Sequence, residues 1–98
     1  MQNPPVYHMT GNSFFKKGQS IYINKVVEEA KPHLHCHDFL EVAYVASGSG
    51  IHRIGDREFT VSKGDLFIIN YNVAHEFRSL SLEPGAGLVV YNCVFNPD

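Results

Sequence analysis

Short apolar runs alternate with glycine-containing turns along most of the chain. From Ser20 onward, β-branched residues such as Ile21 and Ile23 partly alternate with polar residues, as is typical of strands. No segment has a convincing helical period. Further strands are predicted over 39–46, 51–54, 58–61, 66–69, 73–78 and 87–95, with 66–69 as a short buried strand. Eight or nine short strands separated by close turns favour a β-sandwich or barrel.

Two local patterns refine this prediction. Gly55-Asp56 is a two-residue hairpin signal between two of the predicted strands. The strand over 39–46 has apolar residues on both faces, so it is either buried on both sides or part of an interface. Its outer face, which carries Leu40, Val42 and Tyr44, predicts a homodimer or a packed oligomer.

Residues 1–19 are predicted to form an arm or irregular lead-in, and residues 20–98 a single β-barrel. Prolines and glycines punctuate the lead-in, while the adjacent aromatic residues Phe14 and Phe15 are expected to dock on something. One hypothesis makes Phe14, Phe15 or Tyr7 a lid over a ligand. The alternative is a disordered or strand-paired lead-in.

Composition and charge limit the function. With 98 residues the chain is long enough for one domain, and its 8 basic and 10 acidic residues leave a formal net charge of −2. It is too apolar for a disordered chain, and it lacks the basic excess of a nucleic-acid binder. We find no signal peptide, no run long enough to span a membrane and no disulfide framework, so the prediction is a cytoplasmic protein.

The candidate chemistry is a cluster of histidines. In a regular strand, residues two apart face the same side, so His35, His37 and Glu41 would point into one space together with Phe39. A closed β architecture would bring His75 opposite them. Such a set suits a divalent metal such as Zn, Fe, Mn or Ni. Without a metal, the same groups would line a pocket for a hydroxylated ligand.

The other histidines and the cysteines are interpreted as structural. His8 and His33 are predicted to lie at a solvated rim or to bond to backbone, and His52, beside Arg53, to lie on the surface. Cys36 has the opposite parity to its neighbouring histidines, so its sulfur is not expected among the ligands. Cys36 and Cys93 are predicted to be reduced thiols or small buried hydrophobes.

The spacing of these residues resembles the cupin superfamily. His35-x-His37, then Glu41 and Gly48, matches the first cupin motif, and Gly64 with His75 matches the core of the second. The chain departs from the pattern at Glu29, Asn70, Asn72 and Ser79. The resemblance spans residues 20–95 and implies a small double-stranded jelly-roll barrel with His35, His37, Glu41 and His75 facing inward.

Three stretches, 37–50, 63–70 and 75–77, are similar to the N-terminal effector-binding cupin of AraC-type transcription regulators. That resemblance implies a small effector, often a sugar, and DNA binding through helix-turn-helix units that these 98 residues lack. The implied pocket comprises His35, His37, Phe39, Glu41, His75 and Phe77. The alternative is a metal-dependent cupin enzyme, of dioxygenase, isomerase or lyase type, using His35, His37, Glu41 and His75.

Overall fold

The computed structural model describes residues 6–11, 15–28, 34–81 and 87–96. Within these ranges the chain forms nine strands, and the prediction of an all-β fold is confirmed. The strands are β1 (Tyr7–Met9), β2 (Ile21–Glu28), β3 (His35–His37), β4 (Leu40–Ser47), β5 (Ser49–Ile54), β6 (Arg57–Ser62), β7 (Leu66–Ile69), β8 (His75–Ser79) and β9 (Leu88–Phe95).

The strands form two sheets that pack face to face. One sheet has five strands in the order β1-β3-β8-β5-β6, and the other has four in the order β2-β9-β4-β7. Apart from the parallel pair β1–β3, the neighbouring strands are antiparallel. Consecutive strands often lie in different sheets, so residues that are distant in sequence meet between the two layers.

The core between the sheets follows from strand alternation. In β4, Ala43 and Val45 are fully buried, while the intervening Tyr44 is exposed on the outer face. Removing apolar side chains from water in this way contributes about 25 cal/mol per Å² of buried surface. The main core cluster draws on both sheets and comprises Ala43, Val45, Val61, Ile69, Phe77, Leu88 and Val90.

The predicted hairpin at Gly55-Asp56 joins β5 to β6, with Ile54 paired to Arg57. Gly55 has a φ of +59°, in the left-handed region that favours glycine. The prediction for 66–69 is wrong in one respect. Leu66 and Ile68 are 59% and 69% exposed, because β7 is an edge strand and the described residues leave its outer face uncovered.

Part of the lead-in belongs to the fold. Tyr7–Met9 pairs with β3, and the buried Phe15 makes an edge-to-face contact with Phe39 at a centroid distance of 5.5 Å. Tyr7 is exposed, and Phe14 lies outside the described residues. Across the described ranges, no helix has the length and apolar character needed to cross a bilayer.

Candidate functional site

The histidine motif is divided between the two sheets. His35 and His37 lie in β3 of the five-stranded sheet, whereas Glu41 lies in β4 of the four-stranded sheet. The chain bends at Asp38 and Phe39 between them. The interpretation of one regular strand is therefore wrong. The side chains still converge, because the two sheets face each other across the bend.

A cavity of about 170 Å³ lies between the sheets. One wall comes from the five-stranded sheet and the opposite wall from the four-stranded sheet, with Phe39 at the bend. Five of the six predicted pocket residues line it, and His37 does not. The lining residues are Met9, Asn24, Val26, Glu28, His35, Phe39, Glu41, His75, Phe77, Asn92 and Val94.

Three of the four predicted metal ligands form a compact group. His35, Glu41 and His75 each offer a ligand atom, and these atoms lie within 4.8 Å of one another. The separation between His75 Nε2 and Glu41 Oε1 is 3.9 Å. His37 is outside this group, although its Nε2 lies 3.1 Å from Glu41 Oε1.

The ring of His37 is fixed by its neighbours. Its Nδ1 lies 2.7 Å from the carbonyl oxygen of Phe39 and donates to it, because a carbonyl only accepts. The ring also stacks on Phe39, with 4.3 Å between centroids. Its buried Nε2 is close enough to Glu41 Oε1 for an ion pair, but the two groups are not aligned for a hydrogen bond. A shared proton or a cation would satisfy both groups.

The prediction that His52 is a surface residue is wrong. His52 is fully buried, stacks on Phe77 with 3.8 Å between ring centroids, and places Nε2 3.1 Å from His75 Nδ1. Strand β5 lies between β8 and β6, so one of its faces is covered by the other sheet. The charged neighbour Arg53 takes the outer face, and alternation turns His52 inward. The alternation of His52 with Arg53 along the strand was therefore the sequence signal that His52 faces inward.

The two buried imidazoles are held neutral. Burial lowers the pKa of His52 to about 4, with His35 adding to the effect. Burial also lowers the pKa of His75 far below its ordinary value, helped by His35, His52 and His37. Neutral imidazole is the form that binds metals and can accept hydrogen bonds.

The sequence interpretation missed three polar residues of the four-stranded wall. Asn24 and Glu28 in β2 and Asn92 in β9 line the cavity, and Asn24 is the cross-strand partner of Asn92. Oδ1 of Asn92 is buried without a hydrogen-bond partner. The signal for these residues was a polar side chain at an inward position of a strand whose other inward positions include valines, such as Val26 in β2 and Val90 in β9.

Glu28 has an unusual environment within this wall. Burial raises the pKa of its carboxyl to about 7, and the nearby carboxylates of Glu41 and Glu76 add to the increase. Desolvation and like charge both disfavour the ionised form.

The outer side of β3 is separate from the cavity. Sγ of Cys36 lies 3.0 Å from Nδ1 of His8, and Cys36 is not among the cavity residues, as its parity predicted. Both cysteines, Cys36 and Cys93, are free thiols. His33 lies outside the described residues.

The cavity group fits a divalent cation. His75 is 1% exposed and its Nε2 has no hydrogen-bond partner in the described structure, so a cation would satisfy it. The donor set of two imidazoles and a carboxylate suits a borderline divalent ion. His35, Glu41 and His75 would hold it, and it would supply Lewis-acid chemistry.

Comparisons with solved structures identify the fold. The chain superposes on KdgF from Halomonas sp. with a TM-score of 0.68 and 16% identity, covering 81% of this chain and 72% of that one. It also matches a cupin 2 conserved barrel domain protein from Rhodopseudomonas palustris, with a TM-score of 0.61, 22% identity and coverage of 87% and 57%. The prediction of a cupin barrel is confirmed.

Sequence comparisons identify the family. The chain is 34% identical over 64 residues to the HTH-type transcriptional activator RhaR of Escherichia coli (strain K12), which covers 65% of this chain. It spans only 21% of the length of that relative. The model of the AraC-like ligand binding domain matches residues 26–97. The chain therefore belongs to the AraC-like ligand binding domain family.

Proposed function

We propose that this domain binds a small hydroxylated molecule, such as a sugar, and that binding controls an attached DNA-binding domain. The observation that carries the proposal is a cavity between the two sheets whose lining holds two buried, unpartnered polar atoms, Asn92 Oδ1 and His75 Nε2. Buried polar groups need partners, and ligand hydroxyls would provide them. Family membership supports the same function.

The size and the apolar lining of the cavity suit a single ring. A cavity of about 150 Å³ holds a benzene molecule, so the volume of about 170 Å³ fits a ligand of one small ring. Phe39 and Phe77 offer aromatic surface to the apolar face of such a ring, while the polar residues meet its hydroxyls.

Thermal shift with a panel of monosaccharides and related metabolites tests the proposal. A ligand at 100 times its dissociation constant should stabilise the fold by about 2.7 kcal/mol. Asn92→Leu should remove the response, whereas Asn70→Leu, on an exposed turn, should retain it. A panel without any response, or an equal response from both variants, would contradict an effector pocket.

Control of DNA binding requires a difference in effector affinity between two states. The lead-in is a candidate element, because Phe15 packs on Phe39, which lines the cavity. In this proposal residues 1–19 act as an arm on a barrel of residues 20–98, and the longer regulator works in the cytoplasm, where its DNA lies. Unchanged effector affinity after deletion of residues 1–18 would exclude a lid.

We also propose that two copies associate through the outer face of the four-stranded sheet. The strand register aligns Ile23, Cys93, Val42 and Ile68 in one row, and Lys25, Tyr91, Tyr44 and Leu66 in the next. Lys25 is the only charged residue in these rows. The exposed apolar residues of this face are Ile21, Ile23, Val27, Tyr44, Leu66, Ile68 and Tyr91.

The area of this face approaches what a dimer needs. Three strands about 26 Å long and a fourth about 13 Å long, spaced about 4.8 Å apart, cover roughly 440 Å² in projection. Protruding side chains increase the accessible area toward the ~800 Å² per partner of a standard interface. An exposed apolar patch of several hundred Å² commonly marks an interaction site, and a second copy of the same face, with Lys25 as the one charge in the two rows, would cover it.

Light scattering at about 100 μM tests this association, with a dimer mass expected. Ile68→Lys should yield monomers, because it places a charge in the interface. Leu80→Lys, at an exposed residue outside the face, should leave the dimer intact. A monomeric wild-type protein, or a dimer unaffected by Ile68→Lys, would refute the assignment.

A metal-dependent enzyme is the second candidate function. It is favoured by the group of His35, Glu41 and His75. Protein purified without chelators should contain close to one divalent ion per chain by elemental analysis, because such sites bind tightly. Less than about a tenth of an ion per chain, with no uptake of Fe, Mn, Ni or Zn, would rule it out.

A further inference from the structure

The charged residues that line the cavity are all acidic. Two carboxylates, Glu28 and Glu41, line the cavity, and the described lining residues include no lysine or arginine. The nearest basic residue in the β2 sequence, Lys25, has the outward parity and is exposed. With no metal ion in the cavity, an anionic ligand would therefore meet negative groups and no lysine or arginine side chain among the described lining residues.

Glu28 occupies a defined position at the end of β2. Its cross-strand partner is Leu88, which is fully buried, and Gly87 packs beside its backbone. A Cβ at Gly87 would lie 2.7 Å from the carbonyl oxygen of Glu28, so this close approach requires a glycine. The backbone of Glu28 is thus tightly packed, and its side chain lines the cavity.

Several groups in the cavity are hydrogen-bond acceptors. Beside the carboxylates of Glu28 and Glu41, the buried Oδ1 of Asn92 lacks a partner. The ring of His75, 1% exposed, directs an unpartnered Nε2 toward the same space, and this atom accepts when Nδ1 carries the ring proton. A carboxylate accepts at both oxygens, so one ligand with several O–H or N–H groups would satisfy this set.

We infer that the cavity selects a ligand rich in O–H or N–H donors without an anionic group, and that Glu28 is the residue that rejects acidic analogues. The inference rests on the proposed effector function and adds the charge class of the effector. A carboxylate on the ligand would be repelled by Glu28 and Glu41 more strongly in the cavity than in bulk water, because the effective dielectric is lower there. A neutral polyol and an amino sugar share the required donors.

Isothermal titration at pH 8 with matched sugars tests the inference. Glucose, glucosamine and glucuronate form one series, and galactose, galactosamine and galacturonate form another. In the series that binds, the acid should bind at least tenfold more weakly than the neutral sugar. The amino sugar shows whether a cationic donor is accepted as well as a hydroxyl.

Variants of Glu28 assign the discrimination to one side chain. Glu28→Gln should bring the acidic and neutral sugars within about threefold of each other, while Glu28→Asp should preserve the gap. Asp56→Asn, which removes an exposed charge from the β5–β6 turn, should leave the gap unchanged. The circular dichroism spectrum of each variant checks that it folds. If a variant does not fold, the comparison of acidic and neutral sugars on the wild-type protein still tests the charge preference.

The outcomes separate this inference from the proposed function. An acidic sugar that binds as tightly as its neutral counterpart would overturn the inference and leave effector binding in place. A gap that persists in Glu28→Gln would overturn the role of Glu28. The absence of binding by every sugar in both series would overturn the inference together with a sugar-binding function.

Discussion

The Nε2 atom of His52 lies 3.1 Å from the Nδ1 atom of His75, and both rings are almost fully buried. This contact fixes the orientation of His75, so that its other nitrogen turns toward the cavity and Glu41. A hydrogen bond to the second ring nitrogen is the usual way in which a protein selects the tautomer of a ligating histidine. His52 is thus part of the support for the candidate site.

Replacing His52 with phenylalanine should lower stability by about 1–3 kcal/mol, because His75 Nδ1 loses its buried partner while the stacking on Phe77 is retained. His52→Ala should cost more, about 3–5 kcal/mol, since it also leaves a cavity. Urea denaturation measures both values. His8→Phe, at an exposed position, is the control, and a cost below about 1 kcal/mol is expected.

The stability of the protein should include a pH-dependent contribution from Glu28. Its folded pKa is about 7 and its ordinary value is 4.5, so the folded state holds more protons between these limits. Ionisation therefore destabilises the fold as pH rises from about 4.5 to about 7, with an upper bound of about 3 kcal/mol. The main cause of the raised pKa is burial of the carboxyl, and the negative charges of Glu41 and Glu76 raise it further.

The difference in unfolding free energy between Glu28→Gln and the wild type isolates this contribution. The variant should gain stability relative to the wild type across pH 4.5–7, and the difference should then level off. The buried His52 and His75 act in the opposite direction over part of this range, and subtraction removes them. A difference that is independent of pH would contradict the assignment.

Phe15 should hold the lead-in against the barrel. It is 8% exposed and packs with Phe39 and Val94 in a second core cluster. Phe15→Ala should lower the unfolding free energy by about 3 kcal/mol, because it removes a buried ring. Tyr7→Ala, at an exposed ring of the same lead-in, should change it by less than about 0.5 kcal/mol. Equal effects would show that the Phe15 contact contributes little.

A divalent cation should stabilise the fold through His35, Glu41 and His75. Zn²⁺ at 100 times its dissociation constant would add about 2.7 kcal/mol, which corresponds to roughly 10 °C or more in Tm for a domain of this size. Glu41→Gln should abolish the shift, and Glu58→Gln, at an exposed residue, should preserve it. A shift of the same size in both variants would place the cation elsewhere.

The strands and the inward parity of the main motif were predictable because they depend on local alternation. Ala43, Val45 and Glu41 are buried where the pattern of β4 placed them. His52 was misplaced because a histidine beside an arginine resembles a surface residue. The tertiary structure shows which side of β5 is buried, because β5 lies inside the sheet and the opposite sheet covers one of its faces.

The sequence alone determined the all-β class, the turns and the histidine–carboxylate set, because each depends on residue type and short spacing. The tertiary structure decided which of these side chains meet. The bend between β3 and β4 places His35 and Glu41 on facing sheets, and the pairing of β2 with β9 brings Asn24, Glu28 and Asn92 to the same cavity. Such long-range neighbours depend on strand order and register, which no local pattern specifies.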